Sequence, residues 1–176
     1  MRKALLILYT GDGKGKTTAA MGLIMRALGH DGRCAVVQFI KKSTLDSGER
    51  RVAERLGVVW RNFGEGFTWD NPDLGPTIKA CQKGWELAKV WIASGEYDLV
   101  VLDEFTYALT KSFLPLNDVL DWLLAHKNDQ GLPHIVITGR NAPALLIENA
   151  DLVSEIREIK HPWSSSGTKA QKMVEF

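Results

Sequence analysis

A glycine- and lysine-rich stretch near the start of the chain has the residue types that bind phosphate. It reads TGDGKGKTT, residues 10–18, and it follows a short apolar run. Its glycines allow a tight turn whose backbone N–H groups face phosphate oxygens, and the helix expected after it adds its positive end. Compared with the pattern G-x-x-x-x-G-K-[ST], Thr10 stands where the first glycine is expected. The predicted phosphate-binding residues are Gly11, Asp12, Gly13, Lys14, Gly15, Lys16, Thr17 and Thr18.

Two acids end another apolar run and could complete a metal site beside this loop. The run YDLVVLDE, residues 97–104, ends in Asp103 and Glu104. In the loop, Lys16 would supply a point charge, and the hydroxyl of Thr17 would bind Mg²⁺. An acid at the carboxyl end of a neighbouring parallel strand can reach that metal, so either Asp103 or Glu104 is a candidate ligand. The alternative is an acid that caps the next turn.

Alternating apolar runs and helical patterns must position these residues. Six segments are predicted to be strands: residues 4–9, 33–40, 58–63, 97–102, 135–138 and 152–159. Five segments are predicted to be helices: residues 19–28, 47–56, 77–94, 115–126 and 143–149. A tail follows Lys160. The alternation predicts an α/β domain with a mostly parallel sheet, in which ligands bind beyond the carboxyl ends of the strands.

Length, charge and cysteine content narrow the class of protein. The 176 residues suit one domain, which we place at residues 1–176. A formal net charge of +1 does not indicate binding to nucleic acid or to an anionic membrane, and no apolar run is long enough to span a membrane. Cys34 and Cys81 have no CxxC partner, which favours a reduced compartment. The chain is therefore predicted to be a cytoplasmic protein.

Three classes of nucleotide-binding protein are consistent with a phosphate loop on this chain. A GTPase should have N-K-x-D after a strand, and the nearest string, residues 126–129, lacks the asparagine and ends a helix. A small-molecule kinase should have an arginine-bearing lid. Arg50, Arg51 and Arg55 could form one, although a solvated helix with Glu–Arg pairs explains them equally well. An ATP-driven motor is less favoured, because the chain is small and has no basic track.

The stretch GEGFTWDNPD, residues 64–73, places two large aromatic side chains among turn-forming residues. Phe67 and Trp69 are unexpected in such a loop, since exposed aromatic side chains need something to cover them. A large, flat and partly apolar ligand would do so, and so would a small hydrophobic cluster that closes the loop onto the body of the protein. A kinase for a polar metabolite needs no such pair.

Several short segments, taken together and in order, resemble the P-loop-type corrinoid (cob(I)alamin) adenosyltransferases of bacterial cobalamin biosynthesis and salvage. They cover almost the whole chain: TGDGKGKTTAA (10–20), VVQFIK (36–41), SGER (47–50), GFTW (66–69), VVLDEFTYAL (100–109), VITGR (136–140), ADLVSEI (150–156) and the tail from KHPW to VEF (160–176). With the strand–helix alternation, the resemblance implies a P-loop NTPase-like (RecA-like), three-layer α/β domain with about six strands in a mostly parallel sheet.

The resemblance implies an enzyme, a cob(I)yrinic acid a,c-diamide or cob(I)alamin adenosyltransferase. Such an enzyme transfers the 5′-deoxyadenosyl group of ATP to the Co(I) of a reduced corrinoid and releases triphosphate. Co(I) would be the nucleophile, so no side-chain base or nucleophile is required. Residues 11–18 and Arg140 would bind ATP, with Mg²⁺ or alternatively Mn²⁺ as the metal. Glu104 is the first choice for the acid that faces the metal, and Asp103 is the second.

By the same resemblance, Phe67 and Trp69 would bind the corrinoid by packing under the corrin ring. They would displace the lower axial ligand of cobalt, which makes the reduction of Co(II) to Co(I) easier. The partners that the resemblance implies are an electron-donating flavoprotein reductase and a second copy of the chain in a homodimer.

Five further residues are ranked lower as site residues: Gln38, Glu49, Arg50, His161 and Lys169. The first three follow or neighbour the carboxyl edge of the predicted sheet, and the last two lie in the tail. Some relatives have an N-terminal segment that can fold over the site, whereas here the first predicted strand begins within a few residues of Met1. We expect the tail, residues 160–176, or the partner subunit to supply closure instead.

Overall fold

The computed structural model describes residues 3–41, 47–64, 66, 73–127 and 131–174. In chain order the strands are β1 (Leu6–Thr10), β2 (Cys34–Phe39), β3 (Val59–Phe63), β4 (Leu99–Asp103), β5 (His134–Thr138) and β6 (Leu152–Glu155). The helices are α1 (Lys16–Leu28), α2 (Gly48–Arg55), α3 (Gly75–Ala93), α4 (Phe105–Thr110), α5 (Leu116–Lys127), α6 (Ala144–Asn149) and α7 (Pro162–Ser166). Within the described residues, no helix has both the length and the apolar character that crossing a membrane requires.

The six strands form one sheet in the order β3-β2-β4-β5-β1-β6, and every neighbouring pair is parallel. The prediction of an α/β fold with a mostly parallel sheet is therefore confirmed. Parallel neighbours cannot be joined by a tight hairpin, which explains why at least one helix lies between every two successive strands. The order brings the carboxyl ends of β4, β5, β1 and β6 next to one another, so the segments that follow these strands can share a site.

Successive residues of the central strands face opposite sides of the sheet, and each side is covered. In β4, Val100 and Leu102 belong to a hydrophobic cluster that includes Leu123 of α5. Val101, between them, belongs to a second cluster that includes Ile24 of α1. Because both faces are buried, these strands read as continuous apolar runs in the sequence. The two clusters make the three layers, helix–sheet–helix, that the resemblance implies.

Two short helices are absent from the sequence-based prediction, and one predicted strand is too long. α4 has 6 residues and α7 has 5, too few for a periodic apolar pattern to stand out. The strand predicted over residues 152–159 ends at Glu155. β1, the partner of this strand, ends at Thr10, which pairs with Glu155. The next residue, Ile156, donates its N–H to the carbonyl of Thr10 at 2.8 Å, and its carbonyl accepts the N–H of Gly13 in the phosphate loop at 2.8 Å.

Asp151 attaches the edge strand β6 to β1. Its N–H donates to the carbonyl of Leu6 at 2.8 Å, and its Oδ2 accepts the N–H of Leu6 at 2.9 Å. Lys127, at the end of α5, donates to Oδ1 at 3.3 Å. Partial burial of the carboxyl opposes ionisation, but the hydrogen bond from Leu6 and the charges of Lys127 and Lys3 together lower the pKa of Asp151. The ionised carboxyl thus stabilises the strand that leads to the phosphate loop.

Replacing Asp151 with asparagine is expected to lower the free energy of unfolding by about 1 kcal/mol at neutral pH, and the difference should vanish in acid. The pKa of Asp151 is lowered in the folded protein. Its charge therefore stabilises the fold above the unfolded pKa of about 3.9, and this contribution is lost as the pH falls through the folded value. Urea denaturation from neutral to acid pH measures the difference. Asp121→Asn, at an exposed position of α5, is the matched control, and a pH-independent loss in Asp151→Asn would contradict the prediction.

Candidate active site

The phosphate loop and the two acids meet at the carboxyl edge of the sheet. The loop follows β1, and Asp103 is the last residue of β4, which is separated from β1 by β5 alone. α1 begins at Lys16, so its positive amino-terminal end lies at the same edge. An anionic ligand at this edge would face backbone N–H groups, a helix terminus and a lysine together.

Residues that follow β6 determine the shape of the phosphate loop. The N–H of Gly13 donates to the carbonyl of Ile156, and a Cβ on Gly13 would lie 2.7 Å from the carbonyl carbon of Arg157. Gly15 differs, because space is open around the position of its Cβ but its φ of 113° lies in the left-handed region. Gly13 is therefore needed for close contact with the neighbouring chain, and Gly15 for the backbone conformation from which α1 begins.

Lys16 lies inside the loop. Its Nζ donates to the carbonyl oxygens of Gly11 at 2.8 Å and of Gly13 at 2.6 Å. Burial lowers the pKa of Lys16; the negative charge of Glu104 opposes this effect, and the positive charge of Arg140 adds to it. An anion bound in the loop would favour the charged ammonium, so the position suits a lysine that binds phosphate.

Asp103 is fully buried and accepts hydrogen bonds from three side chains. The hydroxyls of Thr17 and Thr138 donate to Oδ1 at 2.8 and 2.7 Å, and the amide of Gln38 donates to Oδ2 at 2.7 Å. The ammonium of Lys41 lies 3.9 Å from Oδ2. A buried carboxylate is tolerable only when its oxygens are satisfied in this way. These contacts place Thr17 and Gln38, both singled out from the sequence, against the acid at the end of β4.

Glu104 lies directly beyond β4, where the chain turns into α4. Its backbone is in the left-handed region, with a φ of 57°, and its N–H donates to the hydroxyl of Thr138 at 3.0 Å. Burial, with the negative charge of Asp103, raises the pKa of Glu104 against the effect of nearby lysine and arginine side chains. It occupies the N-cap position, but among the described residues its carboxyl makes no capping hydrogen bond. The alternative of a simple capping acid therefore gains no support.

Arg140 reaches the same edge from β5, one residue beyond Gly139. The hydroxyl of Thr106 in α4 donates to the carbonyl of Arg140 at 2.7 Å. Gly139 has a φ of 144°, and a Cβ there would overlap the hydroxyl of Thr106. Arg140 is exposed, and its charge affects the pKa values of Lys16 and Glu104. Arg140 therefore stays a candidate to act on the same ligand as the loop and the acids.

The oxygen atoms at this edge fit a small divalent cation. Hydroxyl and carboxylate oxygens are donors that Mg²⁺ and Mn²⁺ prefer. The Thr17 hydroxyl has one hydrogen and two lone pairs, so it can donate to Asp103 and still face a cation. In the described part of the chain, no group of three or more His, Cys, Asp or Glu side chains could hold a metal by itself. Mg²⁺ commonly takes one or two carboxylates and completes its shell with substrate phosphates and water, so these residues fit a metal that binds with a nucleotide.

The remaining sequence-predicted residues have less direct positions. Glu49 and Arg50 lie in the first turn of α2, where Arg50 pairs with Glu54 at 3.0 Å, as in the solvated-helix interpretation. His161 caps α7, since its Nδ1 accepts a backbone N–H of that helix at 3.1 Å. Lys169 is exposed in the tail. Arg50 and His161 therefore have partners on their own helices, and a role of these residues in the site stays a prediction.

Phe67 and Trp69 lie outside the described residues. The segment that leads to them leaves β3 beside the end of β2, where the N–H of Gly66 donates to the carbonyl of Ile40 at 3.0 Å. The next residue along the chain from Ile40 is Lys41, whose ammonium lies 3.9 Å from the carboxylate that ends β4. The loop that carries the two aromatics thus begins close to the candidate metal site.

Two side chains at this edge, Thr138 and Lys41, are not among the site residues predicted from the sequence. Thr138 is the polar last residue of the apolar strand β5, which is the same signal that singled out Asp103 at the end of β4. That signal could have identified Thr138. Lys41 follows β2 after Ile40, and a lysine after a strand is too common to stand out.

Neither cysteine has the properties of a catalytic nucleophile. Both are buried. Burial, with a contribution from the charge of Asp98, raises the pKa of Cys34 to about 11, and burial raises the pKa of Cys81 to about 12. Both thiols therefore stay protonated at neutral pH.

A cavity of about 480 Å³ lies at the opposite, amino-terminal edge of the sheet, lined in part by Leu5, Asp98 and His134. Nδ1 of His134 accepts the N–H of Leu5 at 3.1 Å, and Oδ2 of Asp98 accepts the N–H of Arg33 at 2.9 Å. These polar groups hold the beginnings of strands together. Ligands of parallel sheets bind beyond the carboxyl ends, so the candidate active site is at the phosphate loop.

Comparisons with known proteins agree with this assignment. A family model described as ATP:corrinoid adenosyltransferase BtuR/CobO/CobP matches residues 2–176. The chain is 40% identical over 174 residues to the corrinoid adenosyltransferase of Escherichia coli (strain K12), a match that covers 99% of this chain and 86% of that relative. It is 44% identical over 177 residues to the corrinoid adenosyltransferase of Sinorhizobium sp., covering 99% of this chain and 81% of the relative. For the corrinoid adenosyltransferase CobA of Salmonella typhimurium (strain LT2), the identity is 40% over 174 residues, covering 99% and 86%. The resemblance found in the sequence is confirmed, and the chain belongs to the ATP:corrinoid adenosyltransferase family.

Proposed function

We propose that the protein transfers the 5′-deoxyadenosyl group of ATP to the Co(I) of a reduced corrinoid. A bond forms between cobalt and C5′, the bond between C5′ and the triphosphate oxygen breaks, and triphosphate leaves with that electron pair. Cobalt supplies two electrons and becomes formally Co(III). The observation that carries the proposal is the position of Lys16 in the phosphate loop beside the Thr17–Asp103 pair, in a chain of this family.

The leaving triphosphate is the part of the reaction that this site is best suited to stabilise. The amino-terminal end of α1 and the ammonium of Lys16 lie together at the phosphate loop. Arg140 adds a second cation at the same edge. Negative charge grows on the triphosphate as the C5′–O bond breaks, so groups that are already fixed in place lower the barrier.

The metal that we propose is Mg²⁺, with Mn²⁺ as the alternative, and when bound it would neutralise charge on the triphosphate. Thr17 would contribute its hydroxyl, and Glu104 stays our first choice for the carboxylate that faces the metal. Asp103 already accepts three hydrogen bonds from side chains. Fewer of its lone pairs are left for a cation, so we assign Asp103 to orienting the hydroxyl of Thr17.

A reaction with Co(I) as the nucleophile needs no side-chain base, and the histidines support this proposal. His126 stacks on Trp122 with ring centroids 3.8 Å apart. His134 accepts the N–H of Leu5, and His161 caps α7. Three of the four histidines therefore have structural partners, and the two buried cysteines stay protonated at neutral pH.

The corrinoid is proposed to bind over the segment that carries Phe67 and Trp69. These aromatics would lie under the corrin ring and displace the lower axial ligand. A flavoprotein reductase would supply the electron that forms Co(I). A second copy of the chain, in a homodimer, or the tail, residues 160–176, would close the site over both substrates.

Incubation of the protein in the dark with Mg-ATP and chemically reduced cobalamin tests the proposed function. We expect a Co–C product that is recognised by its absorbance and destroyed by light, with one triphosphate released for each product. Reactions without ATP, and with ADP in place of ATP, are the controls. ADP formation on a polar metabolite without a Co–C product would support a kinase, and nucleotide binding without turnover would support a binding module; either result contradicts the proposal.

A further inference from the structure

A single hydroxyl, that of Thr138, connects the two acids of the candidate site. Its Oγ1 donates to Oδ1 of Asp103 at 2.7 Å and accepts the N–H of Glu104 at 3.0 Å. The directions of both hydrogen bonds are fixed, because a backbone N–H can only donate and a hydroxyl has one hydrogen to give. Thr138 and Asp103 are both 0% exposed, so water cannot readily replace either bond.

These two hydrogen bonds act on different parts of the acids. Thr138 and Thr17 hold Oδ1 of Asp103, while Gln38 holds Oδ2, so the carboxylate is fixed on both sides. At Glu104 the bond is to the backbone, where a φ of 57° is uncommon for a residue other than glycine. Such a conformation persists when its surroundings hold it, and the bond to Thr138 is one such contact.

We propose that Thr138 is a positioning residue, which sets the relative places of Thr17, Asp103 and Glu104 for a metal–triphosphate complex. The inference rests on the proposed function for the identity of the ligand. Partners that orient the ligands of a metal affect metal affinity more than they affect the remainder of the site. The effect of Thr138 on nucleotide binding should therefore depend on the metal.

Thr138→Val removes the hydroxyl and keeps the shape of the side chain. We expect this variant to bind Mg-ATP about tenfold or more weakly than the wild type, the usual loss for such a partner. ATP in the presence of EDTA should bind both proteins with affinities within about twofold, since Lys16 and the loop are unchanged. Titration calorimetry with Mg-ATP, Mn-ATP and metal-free ATP measures all three affinities without corrinoid.

Two variants control this experiment. Thr138→Ser keeps the hydroxyl and should restore most of the affinity for Mg-ATP. Thr106→Val removes another fully buried hydroxyl, which donates to the carbonyl of Arg140 and not to an acid. It should lower the thermal stability without changing the ratio of Mg-ATP to metal-free affinity. Thermal unfolding of every variant checks the fold, and if Thr138→Val does not fold, Thr138→Ala is measured in the same way.

The proposal is overturned if Thr138→Val binds Mg-ATP like the wild type, if it loses metal-free affinity equally, or if Thr138→Ser is as weak as Thr138→Val. These outcomes are separate from a failure of the proposed function. A wild-type protein that binds Mg-ATP but forms no Co–C product would contradict the adenosyltransferase assignment. The metal dependence of nucleotide affinity in the Thr138 variants would still test the positioning role.

Discussion

Replacing Lys16 with alanine is expected to lower kcat/KM for adenosylation by at least about 100-fold, as the loss of a fixed donor to a developing negative charge typically does. Lys16 is 7% exposed, and its ammonium contacts the carbonyl oxygens of Gly11 and Gly13. Its charge is therefore held at the centre of the phosphate loop before any nucleotide arrives. Most of the loss should be in kcat, since the negative charge on the leaving triphosphate is larger in the transition state than in bound ATP.

The measurement is steady-state formation of the Co–C product with Co(I) supplied chemically, so that reduction of cobalt does not limit the rate. Lys83→Ala removes the same side chain from an exposed position of α3 and is the matched control. Lys16→Arg should also be impaired, because the wider guanidinium does not fit between the carbonyls of Gly11 and Gly13. Activity of Lys16→Ala within about twofold of the wild type would show that the loop does not bind the leaving group.

The sheet could be predicted from the sequence because its strands are buried on both faces. Val100, Val101 and Leu102 are all 0% exposed, so β4 reads as an unbroken apolar run with polar residues at its end. β2 and β5 are also buried along most of their length, so they too read as apolar runs. The order of the strands could not be predicted, since an apolar run does not encode which neighbour it pairs with.

Much of the site depends on that strand order. Thr138 contacts Asp103 because β5 lies directly beside β4. Gln38 reaches the same carboxylate because β2 lies on the other side of β4. The sequence identified acids at the end of one strand and a phosphate loop at the end of another. The hydrogen bonds that join them are between residues far apart in the chain, and no local pattern records such pairs.

The edge of the sheet was the hardest part to predict. β6 is exposed along its length, so its residues carry a weak apolar signal, and the strand predicted over residues 152–159 is too long. The contact that follows it, between Ile156 and Gly13, is a backbone hydrogen bond that depends on no particular side chain. The glycine pattern predicted that the loop would bind phosphate. It did not predict that the chain after β6 would form a hydrogen bond with the loop.

The second large effect is expected from Phe67→Ala combined with Trp69→Ala. Formation of the Co–C product from Co(II) and a mild reductant should fall at least about tenfold more than formation from chemically prepared Co(I). An axial donor stabilises the higher oxidation state of a metal, so displacing it raises the potential at which Co(II) is reduced. Aromatic side chains can cover the lower face of the ring without offering cobalt a donor atom.

The comparison between the two starting states separates this role from simple corrinoid binding. If the pair only adds apolar contact with the ring, the double variant loses affinity for the corrinoid in both assays, and the two losses are equal. If the pair displaces the axial ligand, the loss is concentrated in the assay that includes reduction. Affinity for Mg-ATP should stay within about twofold in either case, because neither aromatic is among the residues that we propose to bind the triphosphate or its metal.

Trp69→Phe with Phe67 intact is the matched control, since it keeps an aromatic face and changes only its size. It should retain most of the rate of Co–C product formation from Co(II). The absorption spectrum of the bound Co(II) corrinoid should still show that the lower axial ligand is displaced. If the double alanine variant loses product formation from Co(II) and from Co(I) equally, displacement of the lower axial ligand is contradicted. That result would favour the other interpretation of the pair, a hydrophobic cluster that closes the loop onto the protein, because such a cluster affects every state of the cobalt alike.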